Sequence, residues 1–126
     1  MIIIEIEHFD EGKEQLVRVP LANSDKQAIL FEADFDDLIS LGVYPPWKLY
    51  QGHIVSRNNG RVIAIGRLIR HAEAGQRVDT KDGDPCNLRR SNLVISPGPS
   101  KYAARGDLVR PYKSKIELQH TYEAVA

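Results

Sequence analysis

The densest group of chemically able side chains lies around Gly83. Asp79, Asp82 and Asp84 offer three carboxylates within six residues, and hard oxygen ligands of that kind suit calcium or magnesium. Lys81-Asp82-Gly83-Asp84-Pro85 is equally the composition of a tight turn, because aspartate side chains bond to backbone two residues further on. His53 and His71 are the two histidines within reach of that stretch as bases. An imidazole is the side chain that takes a proton near neutral pH. Cys86 has no ligand-type neighbour and reads as a small buried apolar residue. As the single cysteine, it excludes an internal disulfide and any zinc site built on several thiolates, and a reducing cytosol is the expected location.

The charge distribution points to the same stretch. The chain has 126 residues and a formal net charge of zero. Residues 1–60 carry five Lys/Arg against ten Asp/Glu, whereas residues 61–115 carry twelve against five. A basic segment inside a neutral protein is a polyanion footprint. The acidic half is suited to a basic protein partner, or to the basic half of another copy. With 42% hydrophobic and 27% charged residues, the composition is that of a soluble globular domain. No apolar run approaches the roughly 18 residues of a membrane helix, so no membrane partner is expected. Met1-Ile2-Ile3-Ile4 leads at once into Glu5 and Glu7, a strand rather than a signal peptide.

These residues need elements to hold them. Ile2–Glu7 and Gln15–Leu21 alternate apolar and polar residues and predict two strands across an Asp10–Lys13 turn. Ala28–Phe31 is a third short run. Phe35–Leu41 predicts a helix of about two turns, with Asp34 as N-cap and Gly42 beyond its C-terminus. Pro45-Pro46 interrupts the chain, and Trp47–Tyr50 is extended. His53–Arg57 and Arg61–Ile65 flank Asn58-Asn59-Gly60, the clearest hairpin signal present. Arg67–Ala72 predicts a helix, Gln76–Thr80 and Asn92–Ile95 two strands, and Ser96-Pro97 the cap and first residue of a last helix ending near Gly106. Residues 107–126 carry weak signals.

The run from Val78-Asp79-Thr80-Lys81-Asp82-Gly83-Asp84 to Asn87-Leu88-Arg89-Arg90-Ser91-Asn92-Leu93 resembles the phage-type HNH homing endonucleases. Upstream, Val19-Pro20-Leu21, Asp34–Leu38, Trp47, Gly52, Arg57 and Arg67-Leu68-Ile69 fall where that family has its N-terminal strands, linker and first helix. The resemblance implies an α+β fold: an N-terminal antiparallel β region with one short helix (residues 1–66), an HNH-like ββα unit (residues 67–106) and a C-terminal extension (residues 107–126). It also implies a phage protein working in the cytoplasm of a bacterial host.

In that family a histidine at the end of the first strand activates water. An adjacent Asp and a helix residue hold one divalent metal, and a central Asn braces the loop. Asp79 and Asn92 match the Asp and the Asn. The base position is Thr80, whose hydroxyl is no base at neutral pH. The helix-ligand position is Lys101, whose ammonium has no lone pair for a metal. Gly66 stands where the family has a further histidine. The resemblance therefore implies a scaffold with no intact catalytic set and no expected cofactor, Asp79 being a weak metal candidate. The first expectation is nucleic-acid binding without cleavage through Arg67, Arg70, Arg77, Arg89, Arg90, Lys101 and Arg105. Arg89 and Arg90 have a second reading, as braces of the loop. A second expectation is a phage inhibitor of a DNA-binding host protein complex, such as an anti-CRISPR or anti-nuclease protein, with Glu5, Glu7, Glu32, Asp34, Asp36 and Asp37 imitating DNA phosphates. The third is a metal-dependent endonuclease with unusual ligands, His53 or His71 among them.

Overall fold

A computed structural model describes residues 7–11, 14–58, 60–100, 102 and 105. The expected strand over residues 2–6, Glu5, Lys101, most of the expected last helix and the extension from 107 lie outside the described residues. Among these residues the fold is mixed α+β, with three small antiparallel sheets and one main helix.

The first sheet is β1 (Glu7–Glu11), β2 (Glu14–Pro20) and β3 (Gln27–Phe31), in that order. Asp10 and Glu11 are not in the turn, as expected, but in β1, opposite Gln15 and Glu14. Helix α1 (Glu32–Ser40) follows β3 directly. Its N-cap is Phe31, which makes no side-chain capping bond. Asp34, expected at that cap, sits inside the helix and is buried, because its carboxylate is drawn to Arg90 instead. The helix ends as the sequence predicts. Gly42 has a φ of 82°, which glycine adopts without steric cost. Its N–H donates to the Ile39 carbonyl at 3.0 Å and that of Val43 to Leu38 at 2.9 Å. These two bonds satisfy carbonyls that a bare helix end leaves open, and buried Leu38 and Val43 supply the accompanying apolar contact.

The second sheet is β4 (Lys48–Tyr50), β5 (His53–Asn58) and β6 (Arg61–Ala64). Its inner face puts Ile54, Ile63 and Leu49 into the main core with Trp47, whose ring is 6.0 Å from that of Phe35. Asn23 joins this sheet to the first. It donates to the Leu49 carbonyl at 2.8 Å and accepts the Leu49 N–H at 2.9 Å. Helix α2 (Ile65–Ile69) begins where β6 stops. It starts two residues earlier and ends three earlier than expected; His71 already has a φ of 55°.

The third sheet is the pair β7 (Gln76–Thr80) and β8 (Leu93–Pro97). Ser96 and Pro97, expected to open a helix, instead lie opposite Arg77 and Gln76 in β8. A cap-and-proline signal is local, and here the pairing with β7 overrides it. The long loop between β7 and β8 docks on β3. The Ile29 N–H donates to the Cys86 carbonyl, and the Leu88 N–H to the Ile29 carbonyl, both at 2.8 Å. One apolar cluster runs from Val17 of β2 through Leu38, Trp47 and Leu68 to Leu93 of β8. No helix among the described residues is long and apolar enough to cross a membrane.

Candidate nucleic-acid interface

The β7–β8 loop is held by its own side chains. The Asn92 amide nitrogen donates to the Asp82 carboxylate at 3.0 Å and to the Asn87 carbonyl at 2.9 Å, and its oxygen accepts the Asp82 N–H at 3.3 Å. Asp82 also accepts from the Asp84 N–H and the Asn87 amide, both at 2.9 Å. Those hydrogen bonds, the one from Asn87 first, hold the Asp82 carboxyl below the ordinary carboxylate range. Asp84 accepts the Cys86 N–H at 3.0 Å. Asp82 and Asp84, though exposed, thus spend their carboxylates on bonds within the loop as turn formers. Burial pushes the Cys86 thiol up, in keeping with an inert packed residue.

A cleft of about 460 Å³ opens beside this loop, lined by His53, Gly66, Arg77, Asp79, Thr80 and Tyr102 among others. It brings together the end of β7, the start of α2 and the start of β5. Gly66 is part of its lining, and a Cβ there would make ordinary contact with Val78 at 3.5 Å and Leu93 at 3.6 Å. His53 lines the cleft and His71 does not. The His53 ring meets Tyr102 edge-on at 5.4 Å. Asp79 lies 3.6 Å from the Arg77 guanidinium, both side chains about half exposed (54% and 53%), so the pair is screened and contributes little stability. The Arg77 stem crosses Gly98, where a Cβ would meet its Cδ at 2.7 Å, and the φ of 147° there favours glycine. Among the described residues no three of His, Cys, Asp and Glu are grouped to hold a metal.

The expected cationic face is redistributed. Arg67 is buried, contrary to its expected role in binding nucleic acid. Its guanidinium donates to the carbonyls of Gln76 and Glu73 and so fastens α2 to the approach to β7. Arg90 pairs with buried Asp34, which raises the arginine's own pKa through their hydrogen bond. Arg105 donates to Asp37 at 2.9 Å and to the Leu68 carbonyl at 3.2 Å. Its guanidinium holds the Asp37 carboxyl below the ordinary range. Arg89 donates to the Asn87 side chain at 3.0 Å. Arg70 is half-buried, with its Nε facing no hydrogen-bond partner among the described residues. Arg77 is the most open of the described set. The same pairs draw Asp34 and Asp37 away from any phosphate-like acidic face. Two carboxylates of the acidic first half are thus paired with cations of the basic second half.

A second concavity escaped the sequence reading. An open groove of about 730 Å³ crosses the outer face of β4–β6, lined by Lys48, Tyr50, Arg57, Arg61, Val62 and Tyr102 among others, with no carboxylate among the described lining residues. Alternation was the available signal: Lys48 and Tyr50 on β4 and Arg57 on β5 project from one face. Counting charge by segment hid it, because Lys48 and Arg57 belong to the acidic half. No protein-family model, curated protein or solved structure matches this chain.

Proposed function

We propose that this protein is a catalytically degenerate, HNH-like phage-type protein that binds DNA without cleaving it. In this reading β7, the loop and β8 stand for the two strands of a ββα unit. The observation that carries the reading is the chemistry at the end of β7. Asp79 faces the fixed cation of Arg77, and its neighbour Thr80 offers a neutral hydroxyl. A metal-dependent nuclease needs there an exchangeable ion and a group that accepts a proton. A guanidinium supplies charge to a phosphate but activates no water.

The test has two arms. Supercoiled plasmid with magnesium or manganese stays intact, and random duplex is retarded on a gel at low salt. With Arg67, Arg90 and Arg105 engaged inside the fold, the number of phosphate contacts is small. For about three contacts, affinity falls roughly 40-fold between 50 and 200 mM salt. Nicking that disappears in Asp79→Ala revives the endonuclease reading. Absence of any shift at 50 mM removes the DNA-binding one.

A further inference from the structure

The groove over β4–β6 joins features that the β7–β8 loop lacks. Three cations line it: Lys48 of β4 and Arg57 of β5 on the outer face, and Arg61 of β6 at the hairpin end, opposite Asn58. All three side chains are exposed. None forms an ion pair or side-chain hydrogen bond with a described residue. Beside Lys48 on the same face, at the end of β4 opposite His53, stands Tyr50, 49% exposed and one of two large exposed hydrophobic residues among the described residues. Register puts Lys48 opposite Val55, and Arg57 opposite Val62, so the cations flank an apolar floor of Val55 and Val62. Tyr102 packs on Val55 and Ala64 and closes one end.

We propose that this face binds single-stranded DNA, with Tyr50 stacked on a base and Lys48, Arg57 and Arg61 on the phosphates. The proposal rests on the DNA-binding reading and adds the strand state and the site. A cationic groove with an exposed ring is what sequence-tolerant single-strand binders present, because every base has a π-face. Within a duplex those faces are stacked on one another, which leaves Tyr50 no partner. The described lining residues include no carboxylate, so phosphate charge meets no like charge among them. A volume of about 730 Å³ is in the range of small-ligand sites and leaves room for a short stretch of strand.

Fluorescence anisotropy with the full chain tests this. The probes are a labelled oligothymidylate of about 12 residues, the matching oligouridylate and a random duplex of equal length. The oligothymidylate binds more tightly than the duplex. Its affinity falls about 20-fold between 50 and 200 mM salt, as three single-strand phosphate contacts require. The combined Lys48→Gln, Arg57→Gln and Arg61→Gln variant abolishes the salt-dependent part. Tyr50→Ala weakens binding about 10-fold and Tyr50→Phe restores it. Each substitution is at an exposed side chain, and an unchanged thermal midpoint shows that the variants fold. If duplex binds best, and Arg77→Ala weakens it while the groove variants do not, this proposal is overturned and the DNA-binding reading stands. If no probe binds at 50 mM, both fall. Tighter binding of oligouridylate overturns the assignment to DNA. Equal displacement by polyglutamate shows a general polyanion sink and overturns it too.

Discussion

The β7–β8 loop and the outer face of β4–β6 are both polar and both rich in cations, yet they use them oppositely. In the loop unit Arg67, Arg89, Arg90 and Arg105 each hold something within the chain: carbonyls, an Asn side chain or a carboxylate. On the sheet Lys48, Arg57 and Arg61 hold no described residue. Side-chain type alone therefore does not separate an architectural arginine from an available one. What separates them is whether the fold brings an acceptor within bonding distance. If the contrast is real, substitutions in the two regions will trade stability against binding in opposite senses.

The largest stability effect is expected at Arg67. Its removal leaves the carbonyls of Gln76 and Glu73 without their cationic donor next to a packed helix. Hydrogen bonds to charged groups contribute about 1.5–3 kcal/mol, so Arg67→Ala loses roughly 3 kcal/mol or more in urea denaturation. DNA affinity of the folded fraction should not change. Stability near that of the parent chain would place Arg67 among the available cations and erase the distinction. Asn92→Ala comes next. It deletes two donated bonds and one accepted bond in the loop, for a loss of about 2 kcal/mol. Amide hydrogen exchange should accelerate across residues 81–92 and stay unchanged on β4–β6.

The local elements were the legible part of this fold. The hairpin around Asn58 and Gly60, the helix stop at Gly42 and the β3 run depend on neighbours in sequence, and local chemistry decides them. The misread positions each answer to a distant residue. Asp34 has the side chain of an N-cap, but its partner Arg90 lies 56 positions away. Ser96-Pro97 has the pattern of a helix start, but β7 takes it as a strand. Asp37 and Arg105, read separately from the sequence, are likewise drawn together across 68 positions. Of the two histidines singled out from sequence, the fold brings only His53 to the cleft. The groove was hidden differently: its residues alternate along strands, while charge was summed along segments.

A smaller effect distinguishes the regions by pH. Asp37 and Asp82 both have carboxyls held below their ordinary value, by Arg105 and by the loop amides respectively. A depressed folded value means that the ionised form favours the native state. That contribution is fully present above the unfolded value of about 3.9 and is lost as pH falls through the lower folded values. The thermal midpoint should therefore be flat between about pH 5 and 7 and decline below about 4. In Arg105→Gln the decline becomes shallower, because the Asp37 part is gone. The groove variants should follow the parent curve throughout.

The smallest effect is the most discriminating. Lys48→Gln, Arg57→Gln and Arg61→Gln should each shift stability by less than about 0.5 kcal/mol, as surface substitutions away from caps and buried pairs do. Arg90→Gln, although also at an exposed residue, removes the partner of an Asp34 carboxylate only 9% exposed. It should cost more than any of the three, since a buried carboxylate left unpaired carries a desolvation penalty. The comparison needs only four variants and one unfolding measurement at neutral pH. If the three sheet cations destabilise as much as Arg90 does, they too are engaged in the native chain, and the groove has no free charge to offer a strand. If they are neutral, the charge they keep on an open face is held at no gain to folding, which is the condition a binding surface has to meet.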